Sequence, residues 1–253
     1  MIGIIGIGNM GSAILYALAK KGFKLIVFDK KSLELQGKAT QAKILNEMAN
    51  CRAIIICVKP KDVEKIGKEL RIALSKQAYR PLVISIAAGK TIAQLQKYIG
   101  QERIMRAMPN LAAKVCASST CFSPNAAVNE KDLELAKEIF SSFGTYTEVS
   151  EVHLNAITAL SGCGPAYFFE FSRSLTEAGV SMGLPKEIAL SLSKQTLCGA
   201  AKLLEQENLP LEELISNVAT PGGATEAALK TFKEKNLAGI VKQALENARQ
   251  KCD

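Results

Sequence analysis

No charged side chain occurs between the start of the chain and Lys20, and this uncharged opening, MIGIIGIGNMGSAILYALAK, carries Gly3, Gly6, Gly8 and Gly11. A run of that kind has three physical outlets: a membrane span, an export signal, or a buried strand turning into a helix. A span needs about 20 mostly apolar residues, and an export signal places its positive charge ahead of the apolar run. Here the charge follows the run. Four glycines with polar Asn9 and Ser12 also make a poor lipid-facing helix, so no membrane segment is expected.

Within the run, Gly6-Ile7-Gly8-Asn9-Met10-Gly11 has the GxGxxG spacing of dinucleotide-binding turns. The pattern is weak alone and gains weight from its surroundings. IGIIG precedes it as a strand, SAILYALAKKG follows as a helix, and KLIVF leads to Asp29 as a second strand. In such a unit Gly6 permits the tight turn, Gly8 lets the backbone approach a pyrophosphate, and Gly11 lets helix and strand close together, with free amides at the helix start facing the phosphates. Asp29 suits the ribose hydroxyls and leans to NADH, whereas Lys30, Lys31 and Ser32 suit a 2′-phosphate and NADPH. The two cues oppose each other, and the choice stays open.

The alternation continues through RAIIICVKP, a helical DVEKIGKEL and PLVISIAAG, then strands at RIMRAM, VCASSTCF and TYTEVS. Runs as continuously apolar as IIIC and LVISI imply a parallel sheet covered on both faces. From Glu151 onward the patterns are helical, with Pro165 and Pro185 placed for first turns and Gly183 just past a helix end. The expected fold is therefore α/β plus all-α: a doubly wound nucleotide-binding domain over residues 1–150 and a helical domain over residues 151–253. Helices such as YFFEF and IALSL are apolar on more than one side, which implies burial against a second copy of the chain.

The formal charge is +8, yet basic residues are scattered among acids with no basic run interleaved with aromatics, so no nucleic-acid partner is expected. Seven cysteines without a CxxC pair, and a single histidine, suggest neither a metal site nor a disulfide framework; free thiols in a reducing cytoplasm are expected.

Cys57-Val58-Lys59-Pro60, Ala87-Ala88-Gly89 and Met108-Pro109-Asn110 fall at strand ends, where open α/β sheets hold ligands. Asn110 suits either a cofactor contact or a helix cap. In the second half, Thr220-Pro221-Gly222-Gly223-Ala224-Thr225 lies between two helical patterns; paired glycines at a helix start leave open amides that fit a carboxylate, or else mark an ordinary helix break. His153 has no partners for a Ser/His/Asp set and reads as structural or exposed. Chemistry without a strong side-chain base fits hydride addition to a C=N bond, where the nicotinamide supplies the hydride.

GIGNMGSAI, CVKP, SIAAGKT, RAMPN, LSGCGPAY, GLP before a long helix, and TPGGATEAAL occur in this order and resemble the pyrroline-5-carboxylate reductases over nearly the whole chain. The resemblance implies a Rossmann domain, a helical dimerisation domain with rings of dimers as an open extension, an active site between the two, and NADPH or NADH as the reductant of L-1-pyrroline-5-carboxylate in the last step of proline synthesis. It implies that Gly6, Gly8, Asn9, Met10 and Gly11 line the pyrophosphate, and that Val58, Lys59, Pro60, Ala87, Ala88 and Asn110 surround the nicotinamide half. Thr220, Gly222, Gly223 and Thr225 would receive the substrate, with the Thr225 hydroxyl near the ring nitrogen. Many members carry Asn, Ser or Thr where this chain has Asp29. The nearest rival, a β-hydroxyacid dehydrogenase, uses a lysine after a GxGxxxK pattern, and none follows Gly162 and Gly164 here.

Overall fold

The computed structural model describes residues 1–35, 37, 39–75 and 79–252, which form two compact units: Met1–Pro165 with Ala248–Asp253, and Ala166–Asn247. The first contains an eight-stranded sheet built from β1 (Ile2–Ile5), β2 (Leu25–Phe28), β3 (Thr40–Gln41), β4 (Ala53–Ile56), β5 (Leu82–Ser85), β6 (Ile104–Met108), β7 (Ser118–Pro124) and β8 (Gly144–Glu148), in the order β3-β2-β1-β4-β5-β6-β7-β8. The first six strands are parallel. Strand β7 runs antiparallel to β6. Its direction follows from its connection: only residues 109–117, with a 3-10 turn at Leu111–Val115, separate the two, too little for a crossover helix. β8 then pairs parallel with β7 across a helix, α4 (Glu130–Ser141).

The strands are apolar throughout because both faces are covered. Ile2, Ile4, Ile55 and Ile84 enter a core with α1 (Asn9–Lys20) and α4 that includes Phe122 and Phe140. Ile5, Ile54, Ile56 and Val83 enter the opposite core with α2 (Val63–Ser75) and α3 (Ile92–Ile99). Sequence patterning passed over α3, α4 and the two-residue β3. α3 is short, α4 is laced with charge, and each is delimited by a capping box, Thr91 with Gln94 and Asn129 with Asp132.

Arg106 on β6 is 4% exposed and serves as an internal tie. It donates to Glu151 Oε1 (2.9 Å) and Asn155 Oδ1 (3.2 Å), while Glu151 Oε1 also accepts from the Ile92 amide at the start of α3 (2.7 Å). Asn155 donates in turn to the Cys252 carbonyl (3.1 Å), fastening the returning chain end to this unit. After α5 (Leu154–Ile157), Thr158–Gly162 widens into a π-helical turn closed by Cys163 N–H donating to the Thr158 carbonyl (2.9 Å).

The second unit consists of helices. α6 (Gly164–Ser181) takes Pro165 as its second residue, and Gly183 adopts φ +95° just beyond its end. Pro185 is the residue before α7 (Lys186–Gln206), one place earlier than a first-turn proline. α6 and α7 meet through small side chains: Ser193 Oγ donates to the Ser172 carbonyl (2.8 Å), and a Cβ on Gly179 would stand 3.2 Å from that of Ala189. α8 (Leu211–Val218), α9 (Ala224–Glu234) and α10 (Leu237–Gln250) complete the chain. Few side chains in this unit are buried, and Phe168 and Phe169 are 60% and 63% exposed. No helix among the described residues is long and apolar enough to cross a membrane.

Replacing Glu151 by Ala leaves buried Arg106 without its carboxylate. A loss of about 3 kcal/mol is expected, read in a thermal melt as a midpoint lower by roughly 6–10 °C.

Candidate functional site

β1 is flanked by β2 on one side and β4 on the other, so the direction of sheet building reverses there. A crevice opens at the carboxyl ends of strands at such a point. In this chain it is a cleft of about 340 Å³ lined by Gly6, Gly8, Phe28, Asp29, Lys30, Lys31, Cys57, Val58, Lys59 and Asp62, among others.

The floor of the cleft is set by three glycines with different tasks. Gly6 turns at φ +92°, where a Cβ would also stand 2.8 Å from Val58 Cγ1. Gly11 packs so closely that a Cβ would lie 2.0 Å from the Gly6 carbonyl oxygen. Gly8 has nothing within 4 Å of its missing Cβ, so its side faces open space. It is also the N-cap of α1, where no side chain caps the helix and no acid occupies the first turn. The first intrahelical bond runs from Ser12 N–H to the Gly8 carbonyl (2.8 Å), which leaves the amides of Asn9, Met10 and Gly11 without helical acceptors. An uncapped, positively polarised helix start beside an empty glycine is a fit for phosphate.

Around this floor, Asp29 Oδ2 accepts from the Ile7 amide (2.7 Å) and Oδ1 from the Lys31 amide (3.0 Å). Lys59 and Pro60 follow β4, and Pro60 opens a 3-10 turn through Asp62. Burial pushes the Cys57 thiol well above its ordinary range, so it stays a neutral lining group. Ala87 and Ala88 follow β5 and Asn110 follows β6, at the same edge of the sheet but outside this cleft. Asn110 caps the 3-10 turn after it, its Oδ1 accepting from the Ala112 amide (3.1 Å), and its Nδ2 reaches Ser161 Oγ (3.4 Å). Ser161 lies in the π-helical turn, an irregularity that helical periodicity does not reveal. His153 is exposed.

In the helical unit, Thr220–Gly223 is a tight turn with Pro221 second and Gly222 third at φ +72°, closed by Gly223 N–H donating to the Thr220 carbonyl (3.0 Å). A Cβ on Gly223 would stand 2.7 Å from Thr220 Oγ1, so the second glycine is required by crowding. The Gly222 amide donates to Glu226 Oε2 (2.8 Å). Both glycine amides expected to face a ligand are thus engaged within the turn, and the amides without helical acceptors belong to Ala224, Thr225 and Glu226 in the first turn of α9. Glu226 went unnoticed in the sequence, although an acid three places after an N-cap is a capping signal.

The description of pyrroline-5-carboxylate reductase dimerisation matches residues 151–253, and that of coenzyme F420-dependent NADP oxidoreductase matches residues 1–89. The pyrroline-5-carboxylate reductase of Escherichia coli is 34% identical over 100% of this chain and 97% of its own length. The chain belongs to the pyrroline-5-carboxylate reductase family. The Aquifex aeolicus reductase is 33% identical over 99% of this chain and 96% of its own. Among solved structures, Plasmodium falciparum pyrroline carboxylate reductase with NADP bound superposes with a TM-score of 0.90 at 31% identity, covering 99% of this chain and 96% of that one. The Coxiella burnetii pyrroline-5-carboxylate reductase gives 0.89 at 33% identity, with the same coverage. The α/β plus helical architecture is thus that of the pyrroline-5-carboxylate reductases.

Gly8 and Gly11 separate binding from folding. Gly8→Ala should leave the thermal midpoint within about 2 °C and weaken dinucleotide binding roughly tenfold or more by calorimetry, because its methyl enters the phosphate approach. Gly11→Ala should lower the midpoint by about 5 °C or more, since a Cβ there meets backbone.

Proposed function

We propose that this chain carries out the reaction of its family, reduction of L-1-pyrroline-5-carboxylate to L-proline by NADPH or NADH, with residues 1–150 as the nucleotide domain and residues 151–253 as the dimerisation and substrate domain. The observation that carries the substrate side is a carboxylate oxygen, that of Glu226, on the Gly222 amide at 2.8 Å. The Pro-Gly-Gly turn and the start of α9 therefore present donors that a carboxylate accepts, next to first-turn amides with the positive end of the helix dipole behind them. The substrate's carboxylate would take the Ala224 and Thr225 amides, with Thr220, Gly222 and Gly223 shaping the turn around it.

The first unit fits a dinucleotide at its uncapped helix. Gly6, Gly8, Asn9, Met10 and Gly11 would receive the pyrophosphate, Asp29 and Lys30 would lie on the adenosine side, and Val58, Lys59, Pro60, Ala87, Ala88 and Asn110 would serve the nicotinamide half. Bound NAD(P)H supplies the hydride that adds to the carbon of the substrate's C=N bond. The nitrogen gains a proton in the same conversion and becomes a secondary amine. Thr225, half-buried in the first turn of α9, would donate a hydrogen bond to that nitrogen and act as the near end of the proton path. No carboxylate or imidazole has to act as a strong base, in keeping with an exposed His153.

The exposed apolar side chains of the helical unit support association of two copies through α6–α10, since burying each large one contributes about 1.5–3 kcal/mol. We further propose that dimers can assemble into rings and that the protein works in the cytoplasm. No disulfide joins the cysteines among the described residues, which supports a reducing compartment.

Oxidation of NADPH or NADH that depends on added pyrroline-5-carboxylate, followed by absorbance, tests the activity. Thr225→Ala should lower turnover roughly 10- to 1000-fold, and Gly223→Val, whose side chain meets Thr220, should distort the turn and raise the substrate KM; wild-type turnover in the first variant would remove Thr225 from the proton path.

A further inference from the structure

Asp29 directly follows β2, at the place where an acid commonly reads the two ribose hydroxyls of NAD and repels the 2′-phosphate of NADP. Here each carboxylate oxygen already accepts one backbone amide. Oδ2 holds the Ile7 amide of the glycine turn at 2.7 Å, and Oδ1 holds the Lys31 amide of the following connection at 3.0 Å. A second side chain completes the frame from behind. Gln41 on β3 donates through Nε2 to the Lys31 carbonyl (2.7 Å) and accepts through Oε1 from the Leu33 amide (3.0 Å). Four hydrogen bonds from two side chains therefore fix the glycine turn and the Lys31–Leu33 backbone to the sheet.

The charge around this frame favours an anion. Lys30, Lys31 and Lys59 line the cleft against Asp29 and Asp62. The ion pairs among the described residues involve other groups, so none of these lysines has its charge matched at contact distance. Two amide donors also draw on the Asp29 charge, which reduces its repulsion of a phosphate nearby.

We propose that Asp29 and Gln41 are positioning residues: Asp29 clamps the glycine turn and is not a reader of the ribose diol, and the pair holds the Lys30–Lys31 corner so that the cleft accepts NADPH as readily as NADH. This rests on the assignment of the dinucleotide to this cleft. Acceptance of both nucleotides follows because the phosphate-binding turn is held identically for each, while the lysines offset the remaining carboxylate charge.

The test compares NADH and NADPH in steady-state reduction of pyrroline-5-carboxylate and in calorimetric binding. The wild-type protein should use the two with kcat/KM values within about tenfold. Asp29→Asn loses one charge-assisted bond to the frame and should raise KM for both nucleotides by about tenfold, their ratio shifting less than threefold and kcat little. Gln41→Ala, outside the cleft, should raise both KM values several-fold, an effect that a ribose-reading Asp29 would not transmit. Lys30→Ala combined with Lys31→Ala should raise KM for NADPH alone. A wild-type preference for NADH above about 100-fold, or an Asp29→Asn variant that loses NADH while keeping or improving NADPH, would overturn the proposal. So would Asp29→Asn and Gln41→Ala variants that bind both nucleotides unchanged. Failure of the wild type to bind either nucleotide would instead overturn the assignment of the cleft.

Discussion

The approach of α1 to β1, set by Gly11 against the Gly6 carbonyl, is the constraint on which the nucleotide side of the molecule depends. A side chain at either position would push the helix away from the sheet, and the uncapped amides at its start would leave the crevice between β1 and β4. The same closeness explains why the opening residues carry no charge. Ile2, Ile4, Ile14 and Leu18 are sealed between sheet and helix, where an unpaired charge would cost several kcal/mol. Apolar burial and a helix start with open amides are two results of one turn.

Helix starts elsewhere show what that turn omits. α3 and α4 close their first turns with their own side chains, Thr91 with Gln94 and Asn129 with Asp132. α7 and α8 lead with proline and place acids in the first turn. α1 has neither a side-chain cap nor a first-turn acid. α9 is intermediate, with glycine at the N-cap and a carboxylate that folds back onto the Gly222 amide. α3 and α4 thus satisfy their own N-termini, which is worth about 1 kcal/mol each. α1 forgoes that stabilisation and leaves its first-turn amides without acceptors.

The sequence made the architecture legible where the physical signal was long or unusual. The apolar runs ending at Phe28, Ile56 and Ser85 are strands, the GxGxxG turn lies between β1 and α1, and the second half is helical. The reversal of β7 was not legible, because a strand's direction depends on the length and course of its connection and leaves no mark on its own alternation. The π-helical turn at Thr158–Gly162 escaped for a similar reason: one extra residue in a helix shifts the face presented without changing composition. At the sites, residue types were legible and hydrogen-bond partners were not. Asp29 invited a ligand role, yet its two oxygens bond to amides at Ile7 and Lys31, in segments 22 and 2 residues away. Asn110 left a cap and a cofactor contact open, and it caps a turn while also reaching Ser161.

Charge and backbone divide the work of holding anions. A lysine ammonium on a flexible stem attracts an anion from a distance but fixes its orientation poorly, and salt screens it over about 8–10 Å. Backbone amides held by a glycine turn carry less charge yet stand in fixed directions. At the α1 turn the amides sit at the floor, and Lys30, Lys31 and Lys59 stand among the residues lining the cleft. At the α9 turn Lys230 and Lys233 border the groove that contains Gly222 and Gly223. In both places glycines shape the turn and lysines stand nearby. The formal charge of +8 comes from lysines and arginines scattered along the chain, and such a balance attracts small anions generally.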